Sequence, residues 1–228
     1  WVKEESMLDR TILHLAFLSA LLLASLAASS HAQEKATDKK EKEASDPAVT
    51  ARVTKLIEAL KDKDFGVRFG AASALAEIGP AAQDAVPALV GALEKKDKNI
   101  YFALNATFAL GQIGPASKDA VPALIEALKD KESSVSSGAA SALGQIGPAA
   151  LPALIEALKD KDRNVRSGAA FALGGIGPAA KDALPALIEA LKDKDHYVRG
   201  GAAFALGRIG PVAQDAVPAL TEALKDKN

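Results

Sequence analysis

Outside its N-terminal stretch the sequence holds one histidine, His196, in a turn beside Tyr197. A catalytic imidazole needs a nucleophile or carboxylate held against it, and the matching turns elsewhere carry Gly66, Lys98, Ser133 and Arg163. His196 therefore reads as a solvated turn residue. The KDKD strings at 61–64, 159–162 and 192–195 offer carboxylates of the type that binds calcium, but a calcium loop also requires a turning Gly and a distal Glu. No loop here is long enough for that set, and helix ends followed by caps fit better. With no cysteine in the chain, thiolate metal sites, disulfide frameworks and cysteine nucleophiles are excluded. The sequence is expected to hold no metal or cofactor and to catalyse nothing.

Two further residue sets recur at fixed spacing. Arg68, Arg166 and Arg199 each follow an Asp by four residues, namely Asp64, Asp162 and Asp195. An Asp capping a helix with an Arg one turn later suits helix electrostatics. Gly70, Gly138, Gly168 and Gly201 fall inside helical patterns, where each costs about 1 kcal/mol relative to Ala. A cost repeated in this way predicts an adjacent helix too close to admit a Cβ.

The elements that carry these residues are one unit written five and a half times. Related tetrapeptides begin at Val53, Val86, Val121, Leu151, Leu184 and Val217, spaced by 33, 35, 30, 33 and 33 residues. Within the copy from Leu151, one helix places Leu151, Leu154, Ile155 and Leu158 on a stripe, and a second places Val165, Ala169, Leu173 and Ile176 on another. Asp84, Asp119, Asp182 and Asp215 precede a Pro by three residues and are expected to cap the first helix. Gly-Pro pairs at 79–80, 114–115, 147–148, 177–178 and 210–211 end the second helix, the Gly taking a left-handed position. Short helical hairpins cannot bury two faces alone, so identical copies must stack, and about three suffice. The fold class is all-α, an α-solenoid of stacked antiparallel helix pairs forming a right-handed superhelix.

Two departures from the period stand out. Gly147-Pro-Ala-Ala150 runs straight into Leu151 without the usual Lys-Asp-Ala, which removes a capping Asp and predicts a kink. In the second copy Asp97 to Tyr101 matches Asp162 to Arg166, yet Leu110 arrives two residues late. Either the loop absorbs the two residues or the first turn of that helix shows another face, with Tyr101, Phe102 and Leu104 as the local oddity.

The N-terminal stretch reads as an address. Met7 is taken as the initiator, because the residues before it begin with Trp. Arg10 and the apolar run from Thr11 to Ala28 lead to Ser30-His31-Ala32, the pattern of a cleaved secretory signal. Residues 1–32 are thus expected to be removed between Ala32 and Gln33, leaving the chain outside the cytoplasm, periplasmic or secreted. The alternative is an uncleaved anchor, since about 18 apolar residues is the lower edge of a membrane span, and the membrane is a partner only in that case. Residues 33–46 have no apolar side chain larger than Ala and form a charged flexible linker. Residues 47–228 hold five repeats and a terminal half repeat. The non-Met start and that half repeat together predict a piece of a longer reading frame. Overall 28 basic and 29 acidic residues nearly cancel, and removing residues 1–32 makes the remainder neutral. No electrostatic footprint for nucleic acid results.

The stretch VRSGAAFALGGIGPAAKDALPALIEALKDKD, from Val165 to Asp195, resembles the HEAT repeat, and within it the bacterial PBS lyase HEAT-like form. That resemblance covers about residues 47–228 and implies an armadillo-type scaffold that binds another protein, the partner unidentified. It also implies that the Asp64–Arg68, Asp162–Arg166 and Asp195–Arg199 pairs tie neighbouring repeats together, and that the second helices line a concave face. On those helices the copies differ in two columns, Ser73, Phe108, Ser141, Phe171 and Phe204, and Glu77, Gln112, Gln145, Gly175 and Arg208. With Tyr101 they are, Gly175 excepted, the candidate protein-binding residues, although the Phe rings could equally pack between repeats. An alternative function is an assembly or chromophore-attachment factor resembling phycobilin lyase subunits. A metal enzyme like deoxyhypusine hydroxylase, whose iron is held by His-Glu motifs, is excluded because no His-Glu dipeptide occurs.

Overall fold

The computed structural model describes residues 46–94 and 99–223. The expected address and the linker up to Ser45 lie outside them. Asp46, assigned to the linker by composition, is the N-cap of the first helix and accepts from the Ala48 N–H at 2.8 Å.

Among the described residues eleven α-helices follow one another: α1 (Pro47–Ala59), α2 (Phe65–Ile78), α3 (Val86–Glu94), α4 (Ile100–Ile113), α5 (Val121–Ala127), α6 (Ser133–Ile146), α7 (Leu151–Ala157), α8 (Arg163–Ile176), α9 (Leu184–Ala190), α10 (His196–Ile209) and α11 (Val217–Ala223). They make an all-α solenoid. Successive even-numbered helices pack closely side by side, while successive odd-numbered helices touch far less. Helices α2 to α10 of the even set therefore form the inner row. Its Leu75, Leu110, Leu143 and Leu173 are fully buried, as are Leu89, Leu124, Leu154 and Leu187 on the outer row. Ala columns such as Ala72, Ala140 and Ala170 lie between them, and side chains that small let neighbouring helices approach closely.

The inner helices begin as their sequence dictates. Asp64, Asn99, Asp162 and Asp195 accept from the N–H groups of Val67, Tyr101, Asn164 and Tyr197, satisfying donors that a helix start would otherwise leave orphaned. Each inner helix ends on the Gly of a Gly-Pro pair, with φ from +64° to +81°. Their ψ values, −134° to −148°, correct the expected left-handed helical conformation. This part of positive-φ space is essentially glycine-only.

The caps expected from Asp119 and Asp182 do not form. Asp84, Asp119, Asp182 and Asp215 lie within 3-10 turns, Gly79–Ala85, Gly114–Ala120, Gly177–Ala183 and Gly210–Ala216. Helices α5 and α9 then start from Ala120 and Ala183, already helical and without a side-chain cap. One helical segment runs into the next, so the incoming backbone supplies the partners a cap would provide. The short fourth copy consequently loses no cap; its 3-10 turn is Gly147–Ala150. The stretch 133–157 is long and apolar enough to cross a membrane, but the turn at Gly147 divides it and Leu143, Ile146 and Leu154 belong to the core.

The two additional residues of the second copy leave the inner helix unchanged. Helix α3 has nine residues where α5, α7 and α9 have seven, and α4 keeps the 14 residues of its neighbours with Asn99 as cap. Phe102, not Ile100, thus takes the place of Val165 and is buried with it.

The glycine columns have opposite senses. A Cβ on Gly138, Gly168 or Gly201 would lie 2.6 Å from Thr107, 2.7 Å from Leu128 or 3.1 Å from Ala170, all in the preceding repeat. Gly70 departs from that expectation, with nothing within 4 Å, because no described inner helix precedes α2. A second column, unnoticed in the sequence, faces the following repeat: a Cβ on Gly111, Gly144 or Gly174 would lie 3.2 Å from an α-carbon of the next inner helix. Gly207, its last member, is again open. Gly207→Ala is accordingly expected to raise stability by about 0.5–1 kcal/mol through helix propensity, read as a higher midpoint in urea.

Candidate partner-binding face

The recurrent arginines hold turns and repeats together, with a partner the i+4 spacing does not name. Arg166 Nε and Nη2 donate to the Asp193 carboxylate at 2.7 and 3.0 Å, while Nη1 donates to the carbonyls of Asp160 and Lys161. Arg68 Nη1 bonds the carbonyls of Asp62 and Lys63, and Arg199 Nη1 those of Asp193 and Lys194. Asp64, Asp162 and Asp195 are helix caps, and Arg166 reaches Asp193 rather than the cap carboxylate four residues before it. Asp195 does tie two repeats, but through Arg163 at 3.2 Å. The physical reason is reach: the cap carboxylate turns back to the first N–H groups, leaving the guanidinium to fill the turn behind it.

Burial pushes the Asp193 carboxyl up; the Arg166 hydrogen bonds and the Asp195 N–H outweigh it and hold the group below the usual carboxylate range. The first Asp of each turn makes it a rigid unit, with Asp62, Asp130, Asp160 and Asp193 accepting from the N–H two residues on. Asp193 was invisible as an inter-repeat partner because its contact spans 27 residues.

The inner row places the two variable columns together along one face. Phe108, Phe171 and Phe204 are 51%, 48% and 44% exposed. Phe171 and Phe204 also stack, with centroids 5.3 Å apart and planes 10° from parallel. Phe171 and Phe204 thus pack on each other across two repeats while about half of each ring stays exposed. Gln112 donates to Gln145 at 3.2 Å and Gln145 to Ser141 at 3.3 Å. Ser73 accepts from Asn105, which also donates to the Phe69 carbonyl. Glu77 and Arg208 are exposed at opposite ends of the second column. Gly175 is explained by packing instead, since a Cβ there would meet the Gly144 α-carbon at 3.2 Å.

Tyr101 and Tyr197 occupy the same register on α4 and α10, and both are exposed. Tyr197 has His196 at 4.1 Å between ring centroids and the Arg163 guanidinium 6.0 Å from its ring. A groove of about 730 Å³ crosses α6, α8 and α10 here, with Phe171, Phe204 and Tyr197 in its wall beside Ser137, Ser167 and Asn164. The Arg163–Asp195 pair neutralises itself within it. Among the described residues no cluster of three His, Asp or Glu converges as a metal site.

A family model described as HEAT repeats matches residues 43–100, 92–163 and 151–228. The chain belongs to the HEAT repeat family. Solved structures similar to it include an engineered protein, 29% identical over 76% of this chain and 85% of that one, with a TM-score of 0.49. Another is the complex of CpcE and CpcF of phycocyanin lyase from a Nostoc species, 27% identical over 76% and 70%, TM-score 0.49. A chain from the structures of microtubule plus-end tracking by XMAP215, CLIP-170 and EB1 is 23% identical over 76% and 83%, TM-score 0.55. No curated protein matches the sequence. In this HEAT repeat protein the core columns hold the stack, and the inner row carries the side chains that the stack does not consume.

Proposed function

We propose that this HEAT repeat chain is a non-enzymatic scaffold, exported from the cytoplasm, that holds a partner protein against its inner face. The observation that carries the reading is the row Phe108, Phe171 and Phe204, half-exposed at one register of three inner helices. Aromatic edges repeated on a rigid face match the anchors that dominate protein interfaces. Ser73 and Ser141 stand in the same column, so the fold accepts serine there. Phe171→Ser with Phe204→Ser is expected to weaken capture of the partner by more than about 30-fold, the effect of losing an anchor worth about 2 kcal/mol. A pull-down from envelope extract, paired with far-ultraviolet circular dichroism, reads both quantities. Retained capture, loss of helicity in place of capture, or a bound bilin pigment would each sink the reading.

Export rests on the small-residue site at Ser30-His31-Ala32. Expressed from Met7 in a secreting host, the product should begin at Gln33 by N-terminal sequencing. An intact Met7 in the membrane fraction would replace secretion with anchoring.

A further inference from the structure

Three junctions between successive outer helices carry a groove of one plan. The grooves at α1–α3 and α7–α9 hold about 460 and 500 Å³, and each has an arginine in its wall, Arg68 or Arg166. The groove at α3–α5 holds about 700 Å³. There the fourth residue of the inner helix, the place of Arg166 on α8, is Ala103 on α4, and the space left by the missing side chain stays open.

The larger groove keeps the group that would receive an arginine. Asp130 stands three residues past the end of α5 as Asp193 stands past the end of α9, and each accepts from the N–H two residues on, at 2.9 and 2.8 Å. Asp193 takes Nε and Nη2 of Arg166, whereas Asp130 is exposed and forms no ion pair with a described residue. Glu132 adds a carboxylate to the same wall, in the capping register of Asp162 but without a cap hydrogen bond. Glu94 and Glu126 complete four acids against two cations, Lys129 and Lys131, and Lys129 is held by Glu126 at 2.6 Å. The arginine is also missing from α6, where Ser136 takes its place, but the Asp160 of that junction lies in the wall of the groove that holds Arg166 and already has a guanidinium beside it.

We propose that the α3–α5 groove binds the guanidinium of an arginine side chain presented by a partner protein, which takes at Asp130 the place that Arg166 takes at Asp193. The chain is its own template: the equivalent carboxylate, in the equivalent turn two repeats on, holds a guanidinium through two donors. A planar fork matches a carboxylate in a way an ammonium does not, and the excess of acid in the wall favours a cation. The groove contains none of Phe108, Phe171 and Phe204, so this site and the inner-face reading can fail separately.

Titration of the full chain with N-acetyl-arginine amide, followed by alanine-methyl nuclear magnetic resonance, tests the site. The Ala103 signal, identified by its loss in Ala103→Arg, should shift saturably with a dissociation constant on the order of 1–10 mM, as one charge-assisted pair supports. The neutral isostere N-acetyl-citrulline amide should bind about tenfold more weakly or less. Asp130→Asn, which keeps an acceptor for the Glu132 N–H, should weaken the arginine probe about tenfold or more with helicity unchanged. Ala103→Arg should fill the groove from within, raising the urea midpoint and abolishing the response of the other groove methyls. No saturable shift, an equal response to the citrulline probe, or binding indifferent to Asp130→Asn and Ala103→Arg would overturn the site.

Discussion

Gly144→Leu is expected to split the solenoid into two unfolding units. Helices α6 and α8 meet there backbone to backbone: a Cβ on Gly144 would stand 3.2 Å from the Gly175 α-carbon and 3.3 Å from the Ala172 carbonyl oxygen. At Gly168, by contrast, the obstacle is the end of the Leu128 side chain, which can rotate. Main chain cannot, so a larger residue at 144 must push two helices apart. Overpacking of this kind costs about 3 kcal/mol or more, a fall of roughly 6–12 °C in melting temperature for a chain of this size. Because repeat arrays gain stability from nearest-neighbour interfaces, the loss falls on one junction. A calorimetric trace with two resolved transitions, the variant against the parent, is the expected outcome; a single unshifted transition would contradict the close approach.

The second large effect belongs to Arg166. Its side chain is 8% exposed and that of Asp193 15%, so removing the guanidinium strands a largely buried carboxylate and takes donors from two turn carbonyls. Breaking a buried pair from one side costs about 3–5 kcal/mol, and Arg166→Ala should lower the urea midpoint accordingly. Arg166→Lys should recover only part, since an ammonium cannot reproduce the planar fork. The pH dependence has a definite sign. Asp193 is held below its ordinary value of 3.8 in the folded state, so its contribution is present above that value and is lost as pH falls through the depressed folded one. The gap between parent and Arg166→Ala should therefore narrow below about pH 4 and stay constant from pH 5 to 7. By comparison the Glu58–Lys61, Glu126–Lys129, Glu156–Lys159 and Glu189–Lys192 pairs are solvent-exposed and contribute a few tenths of a kcal/mol each.

Helix positions, the inner caps at Asp64, Asp162 and Asp195, and the Gly-Pro stops were legible because each depends on residues within a turn or two. The apolar stripes at helical period placed the core equally well. The outer caps at Asp119 and Asp182 were misread for a local reason: Asp before x-x-Pro looks like a cap, and nothing in the sequence announces that a 3-10 turn already feeds the helix. The candidate face was legible as a column because repeats can be compared with one another without coordinates.

Period and punctuation alone thus dictate a stack of helical hairpins here, since backbone hydrogen bonding and the burial of one stripe per helix are short-range demands. Only the packed chain decides that Arg166 answers to Asp193, that Gly144 and Gly175 touch while Gly70 stands open, and that Phe171 and Phe204 are both stacked and exposed. These facts depend on distances between residues about 30 positions apart, where close packing of inflexible helices, rather than local preference, sets which atoms meet.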